Sequence, residues 1–135
     1  VIRTPGYVNL ASTGVLKPGA ASSILRESAS TALLDGGWNY GQVAAYHATN
    51  LAIAKARETG IGWVSACNSG HIGRVGAYGE QIVAAGMIVH TTSSVWLPWM
   101  YFAGVFVTDA SYFHMNQKSS SSVARNTTPV STRMK

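Results

Sequence analysis

The sequence is short of cysteine and of charge, and it has no long apolar run. Cys67 is the one cysteine among 135 residues. A single thiol excludes an internal disulfide and any cysteine-rich metal site, and it suits a reducing, cytoplasmic compartment. Charged residues make up 11% of the chain, against roughly a quarter in ordinary soluble domains. Such a chain is expected to bury much of its surface, against a partner or a further part of itself. The longest apolar stretch, Val95 to Val107, holds about 13 residues and contains Pro98, where a membrane span needs about 20. No membrane association is therefore expected. Arg3 and Pro5 interrupt the start, and no apolar signal-type segment follows. The formal charge of +5 divides into +2 up to Ile88 and +3 beyond it. No helix carries a cluster of bases, so the balance argues against a nucleic-acid partner. No His, Asp, Glu and Cys set has metal-ligand spacing, and no metal is expected.

What remains is enough for one modest domain with its own core. Pro5-Gly6 and Pro18-Gly19 mark turns in the opening stretch, Val1 to Ser23. Thr31 to Gly37 reads as a strand running into a turn at Asp35-Gly36. Gly41 to Glu58 reads as a helix, with Val43, Ala44, His47, Leu51, Ala54 and Lys55 at helical spacing. Lys55 and Arg57 suit the negative end of its dipole, and Gly60 suits its cap. Ile61 to Cys67 reads as a buried strand. The loop Asn68 to His71 follows, and then a helix from about Ile72 to Ala85, with Val75, Tyr78, Ile82 and Val83 on its apolar face and Gly86 as its cap. After Val89 the aromatic residues Trp96, Trp99, Tyr101, Phe102, Phe106, Tyr112 and Phe113 show neither a period of 2 nor one of 3.6. Ser119 to Lys135, rich in Ser and Thr, is expected to be disordered. The expected division is therefore 1–88, 89–118 and 119–135.

The chemistry is expected at Asn68-Ser-Gly-His-Ile-Gly-Arg-Val-Gly76, where a strand end meets a helix start. First-turn amides attract an anion at such a corner. His71 has the side chain best suited to exchange a proton near neutral pH. Oxidising an alcohol to a ketone removes a hydride and a proton, and a base such as histidine takes the second. The alternative for His71 is a helix cap or a hydrogen bond within its own loop. Arg3 is able to grip a carboxylate through two parallel hydrogen bonds; the alternative is a solvated arginine. His47, on the apolar face of the first helix, reads as a core or interface histidine. His90 and His114 receive no role. Gly70, Gly73, Gly76 and Gly79 recur every third residue, which is not the dinucleotide fingerprint. On a helix such a run allows close packing of a neighbour.

Several blocks, in order, resemble the malate/L-lactate dehydrogenase family, the one unrelated to Rossmann-fold enzymes of similar name. They are Val1-Ile-Arg-Thr-Pro-Gly-Tyr7, Leu16-Lys-Pro-Gly19, Thr31 to Gly37 continuing to Gly41-Gln-Val43, Ala52-Ile-Ala-Lys-Ala-Arg57, and Asn68 to Gly76. Gly86-Met-Ile88 ends the resemblance. It implies a fragment of an α/β, non-Rossmann fold with a helix-strand-loop-helix centre and an irregular C-terminal tail. It implies a homodimeric oxidoreductase that uses NAD or NADP on a small 2-hydroxy or 2-keto acid of malate, lactate, ureidoglycolate or diketogulonate type. It implies that His71 is catalytic, that Arg3 and Tyr7 bind substrate, and that Asn68, Ser69, His71 and Gly73 line the cofactor. By the resemblance, the family's Ser-His-Gly motif would fall immediately before Val1, and its histidine is itself a candidate acid/base.

Two other readings stand beside this one. Gly73-Arg-Val-Gly76 matches a short nucleic-acid clamp, which with the later aromatics describes a small basic binding module; those aromatics lack interleaved Lys and Arg. The chain also reads as a truncated product with no autonomous function. Loss of family character after Ile88 is what a shifted reading frame produces, and the coding DNA in its other two frames decides that point.

Overall fold

The computed structural model describes residues 4–97 and 100–109. Helix α1 spans Thr4–Ser12, and strands β1 and β2 span Ser23–Glu27 and Thr31–Asp35. Helix α2 spans Gly41–Thr59, β3 Ile61–Ser69 and α3 Gly76–Ala84. Strands β4, Met87–Leu97, and β5, Met100–Asp109, complete the series. The five strands form one sheet in the order β1-β2-β3-β5-β4. Only β2 and β3 are parallel, and α2 is the crossover between them, as a parallel pair requires.

Helix α2 lies on the sheet through alanine. Ala48, Ala52, Ile53 and Ala56 meet Ala32, Leu34, Val64 and Ala66 in the main core, which Ile82 of α3 and Met87 of β4 extend. Small side chains let the helix backbone come close. A Cβ on Gly62 of β3 would stand 2.2 Å from the Ala52 carbonyl oxygen, so glycine is required there. This corrects the expected apolar stripe of α2. Val43, His47 and Ala54 are exposed. His47 is no core residue: its Nδ1 lies 3.3 Å from Ser22 Oγ at the surface. The alanine face wins because close approach to the sheet buries more than Val43 alone offers. Lys55 turns inward rather than to the helix end, and its ammonium donates to Glu27 Oε1 at 2.9 Å and to the Ser28 carbonyl at 2.6 Å. The helix ends at Gly60, left-handed at φ 82°, as expected.

Strand β2 ends at Asp35, in agreement with the sequence, and β3 runs two residues past Cys67. Three features were not anticipated. The Pro5-Gly6 stretch is helical, because proline in a helix's first turn forfeits no hydrogen bond. Ser23–Glu27 is an exposed edge strand with no alternating burial. The stretch after Val89 pairs as a long antiparallel hairpin, Met87 opposite Asp109 through Leu97 opposite Met100. Residues 119–135 and His114 lie outside the described residues. Side chains alternate across a strand, so Ile61 and Trp63 point away from α2, and both are exposed. Among the described residues no helix is long and apolar enough to cross a membrane.

Candidate active site

The parallel strands β2 and β3 end side by side, and in open α/β sheets ligands bind beyond such carboxyl ends. Backbone pairing continues past both strands. Gly36 N–H donates to the Cys67 carbonyl at 2.8 Å, and Trp38 N–H to the Asn68 carbonyl at 2.6 Å. Asp35 Oδ1 accepts from Gly37 N–H at 2.8 Å, and its Oδ2 from Asn68 Nδ2 at 3.2 Å. Trp38 and Asn68 sit at φ 60° and 49°. Asparagine tolerates that region, whereas a bulky residue rarely enters it. Trp38 is held there at both ends, since its carbonyl also accepts from Lys17 N–H at 2.9 Å.

The next loop, residues 70–75, carries His71 against the start of α2. Gly70 N–H donates to the Asn39 carbonyl at 3.0 Å. A Cβ on Gly41 would stand 2.0 Å from the Gly70 carbonyl oxygen and 2.6 Å from the His71 carbonyl carbon. Backbone therefore packs on backbone beneath the histidine. Behind the loop, Ala45, Ile72 and Tyr78 form a second buried cluster with Val75 against it, and the Tyr78 hydroxyl donates to the Ile72 carbonyl. Burial pushes the Tyr78 phenol up from its ordinary pKa, and the nearby Tyr7 adds to the rise. It stays protonated and serves as a brace.

The His71 ring is half-buried. Its Nδ1 lies 2.9 Å from Gly73 N–H and 3.0 Å from Tyr7 Oη. A backbone N–H only donates, so Nδ1 accepts and the neutral ring carries its hydrogen on Nε2. Tyr7, half-buried on α1, also packs edge-on to Tyr40 with ring centroids 6.0 Å apart. Gln42, on the first turn of α2, donates from Nε2 to Tyr7 Oη at 3.0 Å. Gln42 Oε1 is buried and has no partner among the described residues.

The structure thus brings together three of the residues named from sequence, Tyr7, His71 and Gly73. It does not bring in Ser69, whose side chain is 1% exposed and packs against Gly36. Asn68 lies nearby but spends its amide on Asp35. Arg3 is outside the described residues. Helix α3 begins at Gly76, not at Ile72. Gly73 at φ 77° cannot continue a helix, so no first-turn amides stand beside His71. Of the glycine run, Gly70 packs closely, its backbone against Gly41 at the start of α2, whereas on α3 a Cβ on Gly76 or Gly79 would meet nothing nearer than 3.4 Å. Arg74, inside the clamp-like motif, is tied to Glu80 at 2.6 and 2.7 Å. The residue missed from sequence is Gln42. It stands inside the block Gly41-Gln-Val43, but nothing in a lone glutamine marks it.

Cys67 is a weakened nucleophile. Burial pushes its thiol up from the ordinary pKa, and the Asp35 carboxylate adds to this. A raised pKa leaves less thiolate at a given pH. Alkylation of Cys67 by iodoacetamide at about pH 8 is expected to run several-fold slower than that of a free cysteine near its ordinary pKa. Equal rates, measured by mass spectrometry, would contradict this.

A family model described as malate/L-lactate dehydrogenase matches residues 1–105, so the match runs past Ile88. The chain is 42% identical over 95 residues to hydroxycarboxylate dehydrogenase B of Escherichia coli O157:H7, covering 70% of this chain and 26% of that protein. The solved sulfolactate dehydrogenase from Methanocaldococcus jannaschii superposes with a TM-score of 0.67 at 35% identity, over 69% of this chain and 27% of that one. The malate dehydrogenase from Pyrococcus horikoshii gives 0.65 at 38% identity, over 67% and 26%. The chain spans about a quarter of the length of the relatives it matches.

Proposed function

Since this chain belongs to the malate/L-lactate dehydrogenase family, we propose that it carries the proton-transfer corner of an NAD(P)-dependent dehydrogenase for small 2-hydroxy and 2-keto acids. The observation behind this reading is the His71 ring at the end of the parallel strands, held at Nδ1 by Gly73 N–H and the Tyr7 hydroxyl. A ring whose single Nδ1 lone pair is shared by Gly73 N–H and the Tyr7 hydroxyl carries its N–H at Nε2, the form that polarises a carbonyl oxygen.

The residues present fit a nicotinamide in one respect. Gln42 Oε1, buried and without a partner among the described residues, offers an acceptor near the His71 ring for an amide N–H. His71, Gly73, Asn68 and Ser69 are the residues proposed to hold the cofactor, Asn68 and Ser69 by shaping the loop rather than by touching it. A nicotinamide held there would supply the hydride exchanged with the 2-carbon of the acid. Arg3, four residues before Tyr7 in sequence, is proposed to grip the carboxylate.

In the reductive direction, Nε2 gives its proton to the oxygen of the reduced carbon. Nδ1 takes the Tyr7 hydroxyl proton, and Gln42 Nε2–H stays hydrogen-bonded to the phenolate oxygen. Gly73 N–H loses its acceptor at that moment. The cost is about 1 kcal/mol, and the ring regains its resting tautomer when Nε2 takes a proton from solvent and Nδ1 returns its proton to the Tyr7 phenolate. Oxidation runs the same transfers in reverse. The whole polypeptide is proposed to act as a homodimer in a reducing, cytoplasmic setting.

The test follows NADH and NADPH oxidation with a panel of 2-keto acids, with hydroxycarboxylate dehydrogenase B as positive control. The chain is assayed alone and joined to that relative's remaining sequence. Turnover of at least one acid is expected in the joined protein. Failure of every acid with both cofactors, in a folded protein, would refute the reading.

A further inference from the structure

The geometry points to Gln42 as a positioning residue that fixes the direction of the Tyr7 hydroxyl and, through it, the tautomer of His71. The inference rests on the proton-transfer reading of His71 given above, and adds to the Gln42 contacts proposed there a part in setting the resting ring.

The polarity of the contacts is decided at one end by an atom that cannot change sides. Gly73 N–H belongs to the backbone and lies 2.9 Å from His71 Nδ1. Nδ1 is therefore an acceptor, and the Tyr7 hydroxyl 3.0 Å away directs its hydrogen at Nδ1. A phenol has one hydrogen. With that hydrogen committed, the Tyr7 oxygen only accepts from its other neighbour. The Gln42 amide, 3.0 Å away, must then present its NH2 and not its carbonyl. With the amide turned over, its oxygen would draw the Tyr7 hydrogen. Tyr7 would then accept from Nδ1–H, and Nδ1–H would point at Gly73 N–H. Two donors would face each other in a half-buried loop, so that state is disfavoured.

The other end of Gln42 agrees. Its Oε1 is buried with no partner among the described residues, although buried polar atoms are nearly always paired. A glutamine placed only to stabilise the loop would use both ends. Its stem lies over Gly73, where an added Cβ would stand 3.4 Å from Cγ and Nε2, so the glycine leaves the amide its place. Gln42 sits on the first turn of α2, whose backbone abuts Gly70 and His71 through Gly41. The helix that carries the amide thus also carries the loop it acts upon.

The test reads the ring and needs no turnover. With 15N-labelled histidine, long-range proton–nitrogen spectra at about pH 8.5, two units above the ordinary imidazole range, give the ratio of Nδ1–H to Nε2–H forms. Nε2–H is expected to dominate in the unsubstituted chain. In Gln42→Glu the carboxylate only accepts and draws the Tyr7 hydrogen away. The Nδ1–H share is expected to rise about fivefold, the effect of one hydrogen bond of ordinary net strength. Gln42→Leu is expected to move it the same way but less. In a Tyr7→Phe background neither substitution is expected to change the ratio further. An unchanged ratio in both variants with an intact backbone spectrum overturns the inference, as does an effect of equal size in the Tyr7→Phe background. If Gln42→Glu does not fold, Tyr7→Phe alone decides: the Gln42 side-chain amide resonances are expected to shift, and their constancy overturns it. Because no cofactor is present, failure here leaves the dehydrogenase reading standing. Absent turnover leaves the tautomer result standing.

Discussion

Gly41→Ala is expected to destabilise the fold by about 3 kcal/mol, at the upper end for an overpacked interior site. The added methyl would meet the Gly70 carbonyl oxygen at 2.0 Å and carbonyl carbons of Gly70 and His71 at 2.6 Å. These are backbone atoms, so no rotamer change relieves the clash. Either α2 lifts from the sheet or the loop moves outward, and with it His71. Gly79→Ala is the matched control. Its methyl would meet only Val89 Cγ1, at 3.8 Å, within α3 where alanine is the better helix former. It is expected to be neutral or stabilising by up to about 1 kcal/mol. Urea unfolding of the two variants separates the outcomes, and a Gly41→Ala midpoint equal to that of the unsubstituted chain would contradict the packing described.

His71→Gln is expected to lower kcat by about 10²- to 10⁴-fold in the joined protein, the usual range for loss of a proton-transfer group, with little change in stability. Glutamine keeps a donor for the substrate oxygen but cannot pass a proton from Tyr7. Tyr7→Phe is expected to cost less, about tenfold, since Gly73 N–H still holds Nδ1 as an acceptor and solvent replaces the hydroxyl as proton source. Comparable rates for His71→Gln and the unsubstituted protein, with keto acid saturating, would remove His71 from the chemistry. A change in KM alone would recast it as a binding residue.

The sequence was most legible where one physical rule acted alone. The Asp35-Gly36 turn, the Gly60 cap and the strand from Ile61 each follow from local chemistry, and the structure agrees. It misled where tertiary packing overrode the local pattern. Val43 and His47 hold helical spacing, yet the alanines face the sheet because Gly62 lets α2 come close. Helical spacing alone starts the second helix four residues early, since the spacing of Val75 and Tyr78 says nothing of the left-handed Gly73 before them. The β4–β5 hairpin escaped notice because its aromatic residues obscure alternation.

At the site, the loop after the strand from Ile61 was readable, and so was the alternative that His71 hydrogen-bonds within its own loop, since Gly73 N–H donates to its Nδ1; the helix start expected beside the ring is displaced to Gly76. Tyr7 was named through the family resemblance rather than by its spacing, 64 residues from His71. Gln42 could not be found from sequence, since its part depends on three elements converging on one oxygen.

The most direct measurement is a titration of the joined, family-length protein with NADH and NADPH while the His71 ring and Gly73 amide resonances are followed. If the imidazole at this corner lies beside the nicotinamide, those two signals move in step with saturation, and they move more than those of exposed histidines such as His47 and His90. If the cofactor binds and they stay still while signals elsewhere shift, His71 does not line the hydride-transfer site.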